Sequence, residues 1–156
     1  MTLPRRHLLV LLTATLATAA CGRRARRVER REPALYPNET PELRVLINRY
    51  ADLYEVPRSL VHRLAIREST HRPWAVNRPY YGLLQILPAT ARSMGFRGQP
   101  EDLLDAETNL KYAVKYLRGA WLLADGSQDT AVKHYSRGYY YEAKRRGMLK
   151  ETGLVN

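Results

Sequence analysis

The chain predicts a mainly α-helical fold, and three features of its 156 residues carry that expectation. Apolar side chains recur at helical spacing in several stretches. The fullest runs over Leu110, Ala113, Val114, Leu117, Trp121 and Ala124, where offsets of three and four keep one face apolar. The 9 Gly and 9 Pro fall mostly between such stretches and punctuate them. Apolar residues make up 45% and charged residues 26%, a globular balance that fills one modest core and leaves no room for a second domain.

In chain order, Arg5 and Arg6 precede an apolar to weakly polar run from Leu8 to Ala20, the length of a signal-peptide core and too short to span a membrane. Residues 1–20 are therefore expected to be a signal peptide and the protein to be exported. Ala17, Thr18 and Ala19 satisfy a small-residue cleavage rule. Thr18, Ala19, Ala20 and Cys21 are similar to the lipobox of bacterial lipoproteins, with Thr18 where Leu is usual. Arg5, Arg6, His7, Leu8 and Leu9 also fit a twin-arginine leader. Cys21 is the single cysteine, so no intramolecular disulfide can form, and lipid attachment explains a lone thiol where an apolar run ends. Residues 21–38 then read as a basic tether, rich in Arg from Arg23 to Arg31, reaching about 3.3 Å per residue.

The formal charge of +11 is concentrated at this end: from Pro33 onward the surplus of basic over acidic residues is five. The folded part is only moderately basic, and no helix gathers Arg and Lys with base-reading partners, so nucleic acid is not an expected partner.

A domain over residues 39–148 follows. Thr40 is the expected N-cap of a first helix, with Pro41 at its first position and Glu42 in its first turn. Leu43, Leu46, Ile47, Tyr50 and Leu53 or Tyr54 form its apolar face. Pro57 starts a second helix ending at Ser69, and Thr70 to Tyr81 reads as loop or short extended structure. Pro88 to Met94 is a short helix stopped by Gly95. Asp105 caps the longest helix, which Gly126 ends; Ser127 or Asp129 opens another, and Gly138 separates it from Tyr139 to Arg146. Residues 149–156, without periodicity, are expected to be a tail.

The second helix carries the chemistry. Val61, Leu64 and Ala65 follow helical spacing, and Glu68 lies seven, four and three residues beyond them, so a carboxylate continues the apolar stripe. Burying an ionised acid is costly, and both desolvation and the negative end of the helix dipole push its pKa upward. The competing reading turns Glu68 to solvent or pairs it with a nearby Arg.

Thirteen residues after Ser69 come Gly82, Leu83, Leu84 and Gln85, then Ile86, Leu87, Pro88, Ala89, Thr90 and Ala91. With Glu68 and Ser69 they resemble the signature of the soluble lytic transglycosylase (SLT) family of the lysozyme-like superfamily. There, Glu-Ser precedes Gly-Leu-Met-Gln and Pro-Ala-Thr-Ala at similar spacing. Leu84 replaces Met, a volume-conserving exchange. Asn109 with Tyr116 and Leu117 is similar to the third family segment. His134, Tyr135, Ser136, Arg137 and Gly138 are similar to the fourth, with Ser136 where the family has Asn.

The resemblance covers roughly residues 41–148 and implies a lysozyme-like helical domain with a substrate cleft, acting on the glycan strands of peptidoglycan. It implies that Glu68 protonates the glycosidic oxygen between N-acetylmuramic acid and N-acetylglucosamine. The substrate's N-acetyl group then stabilises the cation, and Glu68 as base helps form a 1,6-anhydro sugar. Ser69, Gly82, Gln85, Tyr135 and Tyr81 are the expected substrate-binding residues.

Most glycosidases use two carboxylates, yet Asp105 reads as a helix cap, Glu101, Asp102 and Glu107 as first-turn charges and Asp125 as a turn residue. The 11 Tyr against one Phe suit a sugar groove, with Tyr80, Tyr81, Tyr139, Tyr140 and Tyr141 as candidates. His7, His62, His71 and His134 lack metal-ligand spacing, so no metal and no cofactor is expected. A periplasmic monomer, anchored to the outer membrane through Cys21, is the whole expectation. A lysozyme-type muramidase of the same fold and a catalytically silent wall-binding lipoprotein are the alternatives.

Overall fold

A computed structural model of the chain describes residues 33–155. The expected signal peptide, Cys21 and most of the expected tether lie outside the described residues.

Six helices and one small hairpin make up the domain: α1 Pro41–Leu53, α2 Arg58–Ser69, β1 Val76–Asn77, β2 Tyr80–Tyr81, α3 Pro88–Ser93, α4 Ala106–Leu122, α5 Gln128–Arg137 and α6 Tyr140–Arg145, with a 3-10 turn over Pro100–Leu104 before α4. Their starts follow local chemistry. The Thr40 hydroxyl accepts from the Leu43 amide, Asp105 from Thr108 and Ser127 from Thr130, each satisfying an amide that the helix leaves unpaired. The choice between Ser127 and Asp129 thus falls to Ser127, and Asp129 sits in the first turn.

Helix α4 is the central strut. Leu110, Ala113, Val114, Leu117 and Ala120 on it are wholly buried, packed with Ile47 of α1, Leu64 of α2 and Ala131 of α5 in one core. On α1 the apolar face ends at Tyr54 rather than Leu53, which is exposed. The stretch from 70 to 81 holds the antiparallel pair β1–β2, Val76 opposite Tyr81 and Asn77 opposite Tyr80.

Side chains hold both ends of the described residues against the domain. Residues 33–38 are not free tether: the Arg44 guanidinium on α1 donates to the carbonyls of Pro33 and Ala34, and it grips Glu39 through both carboxylate oxygens. The Tyr36 ring stacks on His71 with centroids 5.2 Å apart, and Asn38 Nδ2 donates to the Thr70 carbonyl at 3.0 Å. At the other end, Thr152 is buried and donates to the Met148 carbonyl at 2.7 Å, while Leu149 and Leu154 pack on the core. Turns place these side chains, so no helical period announces them.

Candidate active site

Glu68 occupies the penultimate position of α2. The chain turns back there, because Thr70 and His71 both adopt left-handed backbone, with φ of 53° and 57°, and their amides return to the carbonyls of Ile66 and Ala65. The helix thus ends with its last side chains at the mouth of a cleft of about 600 Å³, lined by Glu68, Asn77, Tyr80, Gln85, Tyr116 and Tyr135 among others.

The Glu68 side chain is 22% exposed, with its Oε1 3.4 Å from Arg67 Nε. Burial is the larger influence and raises its pKa, while Arg67 opposes it; the net shift is upward. Elements of both readings of Glu68 are therefore present: the carboxylate faces the cleft and also has an Arg neighbour. Among the described residues it is the one carboxylate lining this cleft.

Five other acids are engaged elsewhere. Asp102 accepts from the Gln99 amide and Asp105 from Thr108. Glu107 accepts from Arg49 and Tyr50, Asp125 from Arg146, and Asp129 from Arg63.

Opposite Glu68 is the turn from Tyr81 to Gln85. Gly82 has φ of 76°, and a Cβ on it would lie 2.1 Å from the Leu103 carbonyl oxygen and 2.3 Å from Asn109 Nδ2, so both conformation and space demand glycine. Three helices hold this turn by its backbone. Ser69 of α2 donates to the Leu83 carbonyl at 2.7 Å, and Tyr135 of α5 donates to the Leu84 carbonyl at 2.9 Å. Asn109 of α4 accepts from the Leu84 amide and donates to the carbonyls of Tyr81 and Leu103, each at 2.9 Å.

This arrangement revises several expected substrate contacts. Ser69 is buried, and its hydroxyl is committed to backbone, also accepting from the Arg72 amide. Gly82 approaches α4 rather than the cleft, and Tyr81 is buried behind it. None of these three lines the cleft; they shape the wall behind it.

Tyr135 does line the cleft, but its proton goes to Leu84, leaving the phenol oxygen able only to accept. Burial, followed by the Glu68 charge and the neighbouring Tyr116 and Tyr139, pushes its pKa well above the ordinary value, so it stays neutral. Tyr116, packed edge-on against it with centroids 5.4 Å apart, is pushed up to about 12 by burial.

Gln85 lines the cleft in left-handed backbone, φ 47°. Its amide nitrogen donates to the carbonyls of Ala75 and Gly82 at 3.0 and 2.8 Å. The group it can still offer is its amide oxygen. Of the aromatic candidates, Tyr80 lines the cleft; Tyr139 is buried with its hydroxyl on the Tyr116 carbonyl, and Tyr140 and Tyr141 are exposed elsewhere.

With this geometry in view, the comparison with known families is specific: a model of the transglycosylase SLT domain matches residues 45–149. The chain belongs to the SLT domain family. No curated protein and no solved structure matches it. Membership indicates transglycosylase-type action on peptidoglycan, and the match spans α2, the 81–85 turn, α4 and α5, the four segments that meet at the cleft of this SLT domain.

Two structural roles escaped sequence reasoning, although Asn109 was already marked as a family position. Asn109 lies on the buried face of α4 with Ala113, Tyr116 and Ala120, so a polar residue on an apolar stripe was the available signal. His62 and His71, without ligand spacing, meet because the chain folds back at Thr70. With Glu39 they place one ligand atom each within 4.8 Å of one another, the one such group among the described residues.

The trio is bound to itself: His62 Nδ1 lies 3.2 Å from His71 Nε2 and 3.4 Å from Glu39 Oε1. Burial would raise the Glu39 pKa, but hydrogen bonds from Arg44 and the Tyr36 amide outweigh it. Burial holds both histidines below their ordinary value. A cation there would face the Arg44 guanidinium, so the chemistry favours a buried clasp under Tyr36 in which Glu39 is paired with Arg44 and burial disfavours charge on the two histidines.

Proposed function

We propose that this SLT domain is a peptidoglycan lytic transglycosylase. It cleaves the β-1,4 bond between N-acetylmuramic acid and N-acetylglucosamine, with Glu68 first as general acid and then as base. The observation that supports the reading is that, among the described residues, the cleft is lined by one carboxylate. Most glycoside hydrolases add a second carboxylate that stabilises the cation or activates water, whereas intramolecular capture by the muramyl 6-hydroxyl needs one group that gives a proton and takes one back.

An acid whose pKa is raised by burial suits both steps near neutral pH. The leaving oxygen takes the Glu68 proton as the glycosidic bond breaks, and the N-acetyl group of the substrate stabilises the positive centre. The resulting carboxylate then removes the 6-hydroxyl proton as that oxygen closes on the anomeric carbon. The Gln85 amide oxygen is placed to accept from a sugar hydroxyl, and Tyr80 to offer a flat apolar face with a polar tip.

Mass spectrometry of digested sacculi tests the reaction. The expected muramyl products are lighter by one water than hydrolysis products of the same strands; reducing muramyl ends would instead make the protein a muramidase.

The basic leader followed by Cys21 extends the proposal to a periplasmic protein held at the outer membrane by a lipid on Cys21. A palmitate analogue is expected to label the wild type and not Cys21→Ala. Equal label on both, or none on the wild type, removes the anchor.

A further inference from the structure

A second groove opens beside the cleft, between α2 and α5. It is lined by Arg63 and Arg67 from α2 and by Lys133 and Arg137 from α5, with Asp129 as its acid. Each basic pair is spaced by four residues, so each occupies one face of its helix. The helices are joined at one end by Gln128 donating to Ser59 at 2.9 Å and by the Arg63–Asp129 pair. At the other end the groove runs into the cleft, with which it shares Arg67, Ser136 and Arg137.

Helix electrostatics explain part of this charge. Arg67 and Arg137 sit in last turns, where a cation is favoured by the dipole. Arg63 and Lys133 lie a turn earlier, where that benefit has faded. Arg67 is paired with Glu68 and Arg63 with Asp129, whereas Lys133 and Arg137 have no acidic partner among the described residues. Four cations thus converge on a concave surface with one carboxylate, continuous with the place where the bond is cut.

We infer that this groove binds the carboxylates of the peptide branch carried by the N-acetylmuramic acid residue under attack. The inference rests on the reading of the cleft given above. The muramyl unit in the cleft carries its peptide on the lactyl group, so an acidic branch leaves the sugar close to Glu68 and needs a neighbouring channel. A groove lined by Arg and Lys supplies charge-assisted hydrogen bonds to carboxylates. Because the side chains are partly exposed, each contributes modestly and the effect falls on substrate affinity.

The test uses Arg63→Ala/Lys133→Ala, two exposed positions that line the side groove and not the cleft. A charge-matched control, Arg92→Ala/Lys144→Ala, lies in neither. Binding is measured by pelleting with intact sacculi and with sacculi stripped of peptide by an amidase, alongside the rate of strand cleavage on both. Wild type and control are expected to bind intact wall about fivefold to tenfold more tightly than stripped wall, with a matching change in KM and little in kcat. The groove variant is expected to bind both preparations alike.

An equal loss for the groove variant on both preparations, or the same loss for the control, overturns the inference in favour of general attraction to an acidic wall. A loss seen on anionic phospholipid vesicles but not on intact wall overturns it in favour of a lipid surface. Pelleting requires no catalysis, so a protein that binds as expected yet releases no anhydro product would refute the proposed reaction and leave the groove standing.

Discussion

Glu68→Gln is expected to reduce kcat/KM on sacculi by about a thousandfold or more, since one side chain serves both proton transfers and a general acid alone is worth 10² to 10⁴. The amide keeps the shape of the carboxyl and cannot exchange a proton. The same change is expected to leave the fold as stable as the wild type or more so at neutral pH. The sign follows from linkage: a carboxyl whose folded pKa is raised contributes stability below its unfolded value, 4.5, and loses it as pH rises through the folded value. Once ionised, Glu68 is therefore a burden that Gln lacks, as is common where an active site opposes stability.

The pH profile adds a second reading of the same group. The reaction starts from protonated Glu68, so activity should decline on the alkaline side as Glu68 ionises. Arg67 lowers the Glu68 pKa; Arg67→Ala is expected to move that limb to higher pH. Retention of more than about a tenth of wild-type activity by Glu68→Gln would end the assignment of Glu68, as would an alkaline limb unmoved by Arg67→Ala.

Much of this site was visible as local pattern. Thr40 and Asp105 are side chains whose capping role depends on neighbours three residues away, and that distance is legible in a sequence. Glu68 stood out because a carboxylate on an apolar stripe is expensive unless used. What Ser69 and Tyr135 do was not legible. The family pattern marks them, but their hydrogens go to the carbonyls of Leu83 and Leu84, 14 and 51 residues away, and only the tertiary arrangement selects a backbone oxygen over a sugar. The strap from Pro33 to Asn38 was hidden for a similar reason. Its anchor is Arg44, a charged residue inside the buried face of α1, and its lid is Tyr36 over two histidines brought together by left-handed residues that no periodicity reports.

The clamp on the 81–85 turn makes Asn109→Leu a substitution with a large expected loss of stability. Leucine matches the branching and heavy-atom count of asparagine but is bulkier, so overpacking against Gly82 adds to the loss of hydrogen bonds. Asn109 is fully buried, and its carboxamide joins the Leu84 amide to the carbonyls of Tyr81 and Leu103. Leucine leaves the Leu84 amide and the Leu103 carbonyl unpaired in a dry interior, at about 1 to 3 kcal/mol for each group, while the Tyr81 carbonyl keeps the Ile86 amide. A loss of about 2 to 6 kcal/mol follows, a large share of the 5 to 15 kcal/mol typical of a domain.

Ser69→Ala, which removes one clamp from the same turn, should cost only about 1 to 3 kcal/mol. Catalysis should weaken as well, in folded protein at low temperature, because Gln85 is carried by the loosened turn and its amide nitrogen is held by Gly82 within it. Urea unfolding of Asn109→Leu, Ser69→Ala and the exposed-site control Lys111→Ala distinguishes these cases. If Asn109→Leu unfolds within about 1 kcal/mol of the control, the turn does not depend on α4. The convergence of Ser69, Asn109 and Tyr135 on one loop would then be packing without mechanical consequence for the cleft.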